Sequence, residues 1–486
     1  MTTVNIPLGE WLPDLPAALN PGCEVANNVL PSAIGYEPFS GLVGQDETVS
    51  GQVFGAKQIF DNGGNSMIVG GTATSLFVRR SSFTTTTGYS NIGTGEAWDF
   101  AQFNDYVIAT ANANVPQYLT DVDSDNTWSD LPGSAPTAKR CARVGEFLML
   151  GHVSNVPTKI QWSHYNDPTA SWEASRLTQA GSAILPVEDG PIQRIVGGRY
   201  ATIFQQRAIT RLSYVGPPTV FKSDVVTTER GAVAPFAVVP VGYLTFFLAQ
   251  DGFFVTNGAS VEPIGGQKVN KWFFATVDQA TIKEVHGAVD WQNRCVIWAF
   301  REAGSNNNNR LIIYNYIDGK WSTATVDTGW IFSSSLDGVT LEELDAIYGD
   351  LDSIPLSMDS DDFKTKDRRF AAFVTGDTTS EYALFTGEPL EATWETGDFQ
   401  PEPGRRVFVN QAAPVMIADD WDMKLTLMMR DNFGNQSFSG EKEVGWSGFA
   451  PVRGEGQRMA VRMVKPSGNW TEATGIDVQF RVAGAR

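Results

Sequence analysis

Three histidines, His152, His164 and His286, set the options for acid–base chemistry near neutral pH. His164 has Ser163 and Asp167 close by, but catalytic triads are assembled from residues far apart in the chain, and no G-x-S-x-G elbow is present. All three histidines are therefore expected to be surface or core residues. No His, Cys or Glu grouping has zinc spacing, and neither a Walker A nor a dinucleotide-binding glycine pattern occurs. Cys23, Cys141 and Cys295 are odd in number and far apart, as expected of buried free thiols in a reducing compartment. Asp121, Asp123, Asp125 and Asn126 resemble the first half of an EF-hand loop, yet the acidic ligand of its last position would fall on Pro132 and the required glycine on Asn126. Asp350, Asp352, Asp359, Asp361 and Asp362 form an acidic stretch expected to be a solvated loop. No catalytic, cofactor-binding or metal-ligating set is expected.

Glycosidases can place paired carboxylates in the central channel of a β-propeller. The segment Ser124–Trp128 (SDNTW) faintly resembles the Asp-box of sialidases, but it lacks the glycine and is not repeated, and no carboxylate pair is singled out. Composition narrows the classes further. The 486 residues carry 36 basic and 55 acidic side chains, a formal charge of −19 that disfavours tight binding of nucleic acid or of an anionic membrane. No apolar run is long enough for a membrane-spanning helix, and the N-terminus has no positive n-region followed by an apolar core, so no secretory signal is expected. Lys139, Arg140 and Arg143 form one compact basic cluster, expected to be a solvated or interface surface.

The elements that carry these residues are β-strands in a repeat. Between 66 and 322 an apolar run, a polar turn and a second apolar run recur six times: Ser66–Arg79, Tyr106–Leu119, Phe147–Trp162, Tyr200–Tyr214, Leu244–Val255 and Cys295–Trp321. The mid-strand residues Ile68, Val107, Leu148, Ile203, Phe246 and Ile297 stand 39, 41, 55, 43 and 51 residues apart. Hairpin repeats of roughly forty to fifty residues are the signature of a β-propeller, here of about six blades. Trp128 and Trp172 follow second strands and are expected to pack between neighbouring sheets. Asp278–Val285 is a candidate short helix, and Gly304–Asn309 an exposed loop tip.

The flanks differ. Residues 1–50 hold Pro7, Pro13, Pro16, Pro21, Pro31 and Pro38, which exclude long helices and favour an extended arm. Its Trp11, Leu12, Val29, Ile34, Tyr36 and Phe39 must bury against another domain or a neighbouring subunit. The all-β chain thus divides into an N-terminal arm (1–50), a propeller (51–335), an acidic linker (336–365) with a candidate helix at Leu341–Asp345, and a C-terminal β-rich domain (366–486), expected to be a sandwich.

Several short stretches resemble the tail nozzle (tail hub, or packaged-DNA stabilisation) family of short-tailed bacteriophages. They are Pro13–Pro16 (PDLP), Ala26–Pro31 (ANNVLP), Gly35–Phe39 (GYEPF), Phe103–Thr110 (FNDYVIAT), Ile160–Ser163 (IQWS), Asp251–Phe254 (DGFF), Tyr314–Ser322 (YNYIDGKWS), Gly387, Gly456–Arg458 (GQR) and Trp470–Asp477 (WTEATGID). The matches are short and degenerate but spread over most of the length. The resemblance implies a non-enzymatic virion protein, assembled in the host bacterial cytoplasm into a homohexameric ring below the portal and the adaptor (head–tail connector) ring. Each subunit would carry a β-propeller and a platform built from both terminal regions. Tail fibres or spikes and a tail needle would be neighbours, and viral DNA would be retained and ejected through the lumen without sequence-specific contacts. The alternative from another class is a propeller glycosidase or glycan-binding protein, and a third is a monomeric interaction scaffold. Oligomeric state and glycan turnover discriminate them.

Overall fold

The computed structural model describes residues 2–93, 95–112, 114–335, 368–430 and 436–482. Each of the six predicted repeats is the middle hairpin of four consecutive antiparallel strands, and the six mid-strand residues all sit on second strands. Blade 1 spans 53–87, blade 2 spans 99–130, blade 3 spans 138–184, blade 4 spans 192–227, blade 5 spans 239–263 and blade 6 spans 286–328. The turns behave as their residues dictate: Gln250 and Asp251 close the two-residue turn between Leu244–Ala249 and Gly252–Thr256. Blades are glued by apolar residues on the facing sides of adjacent sheets. Trp128 lies in the core shared by blades 1 and 2, and Trp172 in that shared by blades 2 and 3, as their positions predict.

Among the described residues there are seven blades, one more than the repeat spacing counts. The seventh consists of Trp330–Ser335, Arg368–Thr375, Thr379–Leu384 and, as its outermost strand, Val43–Ser50 from the N-terminal arm. It leaves no contiguous repeat in the sequence because its strands come from three separate segments. First strands of neighbouring blades pack against one another from blade 1 through blade 4, and from blade 5 through blades 6 and 7 back to blade 1. A 3-10 turn at Pro235–Ala237 bridges blade 4 to blades 5 and 6. The ring is closed.

Domain boundaries therefore move. The propeller takes strand 43–50 from the expected arm and strands 368–375 and 379–384 from the expected C-terminal domain, because hydrogen-bonded edges, not sequence contiguity, define a blade. The linker 336–365 and the candidate helix Leu341–Asp345 lie outside the described residues. The helix expected at Asp278–Val285 is only a 3-10 turn at Ile282–Glu284, since the Asp278 side chain accepts the Ala280 amide in a local turn; the α-helix is Asn270–Thr276.

The rest of the chain forms a sandwich, as expected. One sheet orders Val29–Pro31, Tyr36–Pro38, Trp470–Val482, Val407–Ala418 and Gly454–Gly456, with Thr2–Pro7 also paired to Trp470–Val482. The other grows outward from blade 6: strand Lys320–Thr328 pairs with Cys23–Asn27, followed by Ala392–Thr396, Arg458–Lys465 and Lys424–Arg430, and the short strands Gln436–Phe438 and Lys442–Glu443 both pair with the last, giving ten strands in one sheet. Val407, Val409, Val478 and Phe480 of the first sheet share a core with Leu425, Leu427, Val461 and Met463 of the second. The arm's Trp11, Leu12, Val29, Tyr36 and Phe39 are buried within this same chain, whereas Ile34 is exposed.

Candidate functional site

Two places concentrate the informative residues: the junction between platform and propeller, and the central channel.

At the junction, stretches distant in sequence meet pairwise. Asp14 of the PDLP stretch caps the helix Asn270–Thr276, its carboxylate accepting the amides of Lys271 at 3.0 Å and Trp272 at 2.8 Å. The ANNVLP stretch lies on YNYIDGKWS. Ser322 Oγ donates to the Val29 carbonyl at 2.6 Å, Asn315 Nδ2 to the Pro31 carbonyl at 2.9 Å, and the Thr325 amide to Asn28 Oδ1 at 2.7 Å. Asn28 adopts φ 61°, a left-handed conformation that asparagine tolerates better than other non-glycine residues. The GYEPF stretch meets WTEATGID through the pairing of Tyr36 with Ala473, and the Tyr36 hydroxyl donates to the Gly9 carbonyl at 2.8 Å. Phe253 of the DGFF stretch fills the space between Phe273, Trp298 and Trp321, with ring centroids 4.9–5.2 Å away. Charged groups tie the same seam. Arg430 bridges Glu24 at 3.1 Å and Asp398 at 3.3 Å, and Lys268 reaches Glu10 at 2.6 Å. Burial pushes the Glu24 and Asp398 carboxyls upward, and Arg430 opposes it in both.

The channel is lined by the first strands of the blades. Near the end where these strands begin lies Phe236. It packs edge-on against Trp330 of blade 7 at 5.1 Å, and the guanidinium groups of Arg140 and Arg194 lie 5.0 and 4.8 Å from its ring. Arg140, from the basic cluster expected at the surface, is 3 % exposed. The cluster lies on first strand Ala138–Val144, so its alternate residues turn into the protein: Arg140 Nε donates to the Gln193 carbonyl at 2.7 Å, and Lys139 pairs with Glu96 at 2.5 Å.

The remaining sequence candidates are placed apart from one another. Ser163 Oγ accepts the Leu148 amide and donates to the His164 carbonyl, while His164 Nδ1 faces the Tyr165 carbonyl, so the three do not form a relay. His152 lies at the channel mouth near Lys139 and Arg140, and burial and those cations push its pKa down to about 4. His286 is buried in blade 6. Asp121 and Asp125 accept backbone amides of their own turn, and Asp123 accepts from Asn62. Among the described residues no three His, Cys, Asp or Glu side chains converge on one point. The three cysteines are buried free thiols, and burial raises each one's pKa, that of Cys23 to about 12. The acidic stretch 350–362 lies outside the described residues.

Sequence reasoning missed the cluster around Phe236. Phe236 carries no pattern of its own, and only the ring of blades brings Arg140, Arg194 and Trp330 to it.

No family model matches the chain, and no curated protein matches it. Solved structures similar to it include the peptide-bound form of YCF48, at 10 % identity and TM-score 0.38, covering 73 % of this chain and 96 % of that one. An inactive virginiamycin B lyase from Staphylococcus aureus with quinupristin is 11 % identical with TM-score 0.37, covering 71 % and 100 %. The extracellular domain of a one-component system from B. thetaiotaomicron is 10 % identical with TM-score 0.38, covering 81 % and 45 %. At such identities and scores these likenesses carry no argument about this chain.

Proposed function

We propose that this chain is a structural tail nozzle (hub) protein of a short-tailed phage virion, a ring-forming conduit below the portal and adaptor through which DNA is retained and then ejected. One observation carries the reading. Several stretches that carry the resemblance lie against one another: ANNVLP on YNYIDGKWS where the platform joins the propeller, Phe253 of DGFF on Trp321, and GYEPF on WTEATGID within the platform, whereas FNDYVIAT and IQWS lie in blades 2 and 3. The ten-stranded sheet running from blade 6 into the platform supports a mechanical role, because it links the two parts by main-chain hydrogen bonds rather than by a hinge. The platform also presents Trp446, fully exposed, with Trp421, Phe438 and Ile417 each more than half exposed, apolar surface suited to contact with other copies or with an adaptor. The formal charge of −19 suits a conduit that DNA slides through without sticking.

Mass photometry of the purified protein, alone and with an adaptor ring, tests this. A closed ring of about six copies is expected, and Trp446→Asp with Trp421→Asp should shift it toward single copies. A chain that stays monomeric with and without the adaptor, or that turns over glycans, overturns the proposal.

A further inference from the structure

A cavity of about 320 Å3 lies between the first strands of blades 1 to 4 and Pro240 of blade 5. Its charged lining residues are Lys57, Arg143 and Arg194, and no Asp or Glu lines it. Arg143 lies at the rim and is partly compensated by Glu146 at 3.6 Å. Arg194 pairs through Nη1 with Asp99 at 2.9 Å, and among the described residues its other two nitrogens have no protein acceptor. Among the described residues Lys57 has no ion pair, and its Nζ donates to the Phe100 carbonyl alone, at 3.1 Å; an ammonium has three donors, so two N–H groups are left for the cavity. Its side chain is open to the channel although the blades surround it. In a chain of net charge −19, a concave site with only cations on its wall is an inversion that calls for a counter-ion.

We propose that this cavity binds a compact phosphate-type oxyanion, held between the Lys57 ammonium of blade 1 and the Arg194 guanidinium of blade 4. A guanidinium offers planar paired donors that match oxyanion geometry, and an ammonium complements it as a point charge. Arg194 is held ready for this, since Asp99 anchors one end and Phe236 fixes its plane. The surrounding blades also push the Lys57 ammonium below the usual lysine range; Asp99 opposes this, and Arg194 adds a smaller repulsion. A bound anion relieves both. The site is independent of the assembly proposed above.

Isothermal titration of the full chain with inorganic phosphate, pyrophosphate and a nucleoside monophosphate tests it, the three probes separating a free from an esterified phosphate. Saturable binding of at least one is expected, with chloride at equal ionic strength failing to compete. Lys57→Gln should weaken it at least about tenfold, the loss expected for a hydrogen bond to a charged group. Because Lys57 makes only one bond to protein, this variant should melt where the parent does, and Lys57→Arg should restore binding. Absence of saturable binding to the parent chain, or equal binding by a folded Lys57→Gln, overturns the proposal. Should Lys57→Gln fail to fold, a rise in the parent's melting temperature with pyrophosphate but not with chloride supports it, and no rise overturns it.

Discussion

Trp330 lies flat on His286, with ring centroids 4.3 Å apart and parallel planes. This stack joins the first strand of blade 6 to that of blade 7, where the ring closes. His286 Nε2 accepts the Ile331 amide at 3.2 Å, and Nδ1 donates to the Glu284 carbonyl at 3.0 Å, so both nitrogens are used and the imidazole is neutral. Burial lowers its pKa to about 4. The group is depressed below its unfolded value, so between about pH 6.5 and 4 the unfolded chain takes up a proton that the folded chain refuses. Stability is then expected to fall with pH across that window, by at most about 3 kcal/mol from this residue. Chemical denaturation at pH 7 and pH 5 measures it. His152, also held near pKa 4, adds to the slope, so a His286→Gln variant should flatten only part of it. An unchanged slope in that variant would refute the assignment.

Truncations separate the two roles of the arm. Removing residues 1–40 deletes Thr2–Pro7, Cys23–Asn27, Val29–Pro31 and Tyr36–Pro38 from the platform but spares the closing strand Val43–Ser50. The platform core should open while the ring of blades survives. Removing residues 1–50 should also strip blade 7 of its outer strand. Proteolysis mapped by mass spectrometry is expected to show the blade strands within 53–335 and 368–384 protected in the first truncation and not in the second.

Arg430 holds carboxylates from opposite ends of the chain. Arg430→Met removes the cation that Glu24 and Asp398 share, leaving Asp398 only the weaker pull of Arg458, and breaking such a largely buried network costs about 3 kcal/mol. Adding Asp398→Asn to that variant should recover part of the loss. Urea unfolding of the single and double variants provides the comparison.

Gly35 shows how tightly the two termini pack. A Cβ at this position would run into the Ala473 carbonyl oxygen, which is backbone and cannot swing away. Gly35→Ala is expected to cost roughly 2 kcal/mol, within the usual range for overpacking. A melting temperature equal to the parent's would show that the strands can part.

Much of the fold was legible because local chemistry and tertiary structure agree. The six hairpins announced themselves through apolar runs and polar turns, and each sits where its period put it. Trp128 and Trp172 were readable as inter-sheet packing because a large ring after a second strand has nowhere else to go. What could not be read was non-local. The strand Val43–Ser50 has the composition of an exposed edge, and nothing in it tells that its partner is Thr379–Leu384. Arg140 looked like surface because charge is usually solvated, whereas Glu96, the Gln193 carbonyl and the Phe236 ring let it be buried. The Lys57 cavity is invisible for the same reason: its walls come from five strands spread over 180 residues or more.

The clasp of blade 7 also has a consequence for biosynthesis. Ser380 Oγ donates to the Gly51 carbonyl, 329 positions away in the chain, and the ladder beside it joins the same two segments. On a ribosome adding roughly 5–20 residues per second, the early strand waits on the order of tens of seconds with its edge unpaired. During that interval it is a template for any other strand, including the same strand of a second nascent chain. High expression should therefore favour exchange of this strand between copies, and slower translation should favour closure of each ring upon itself.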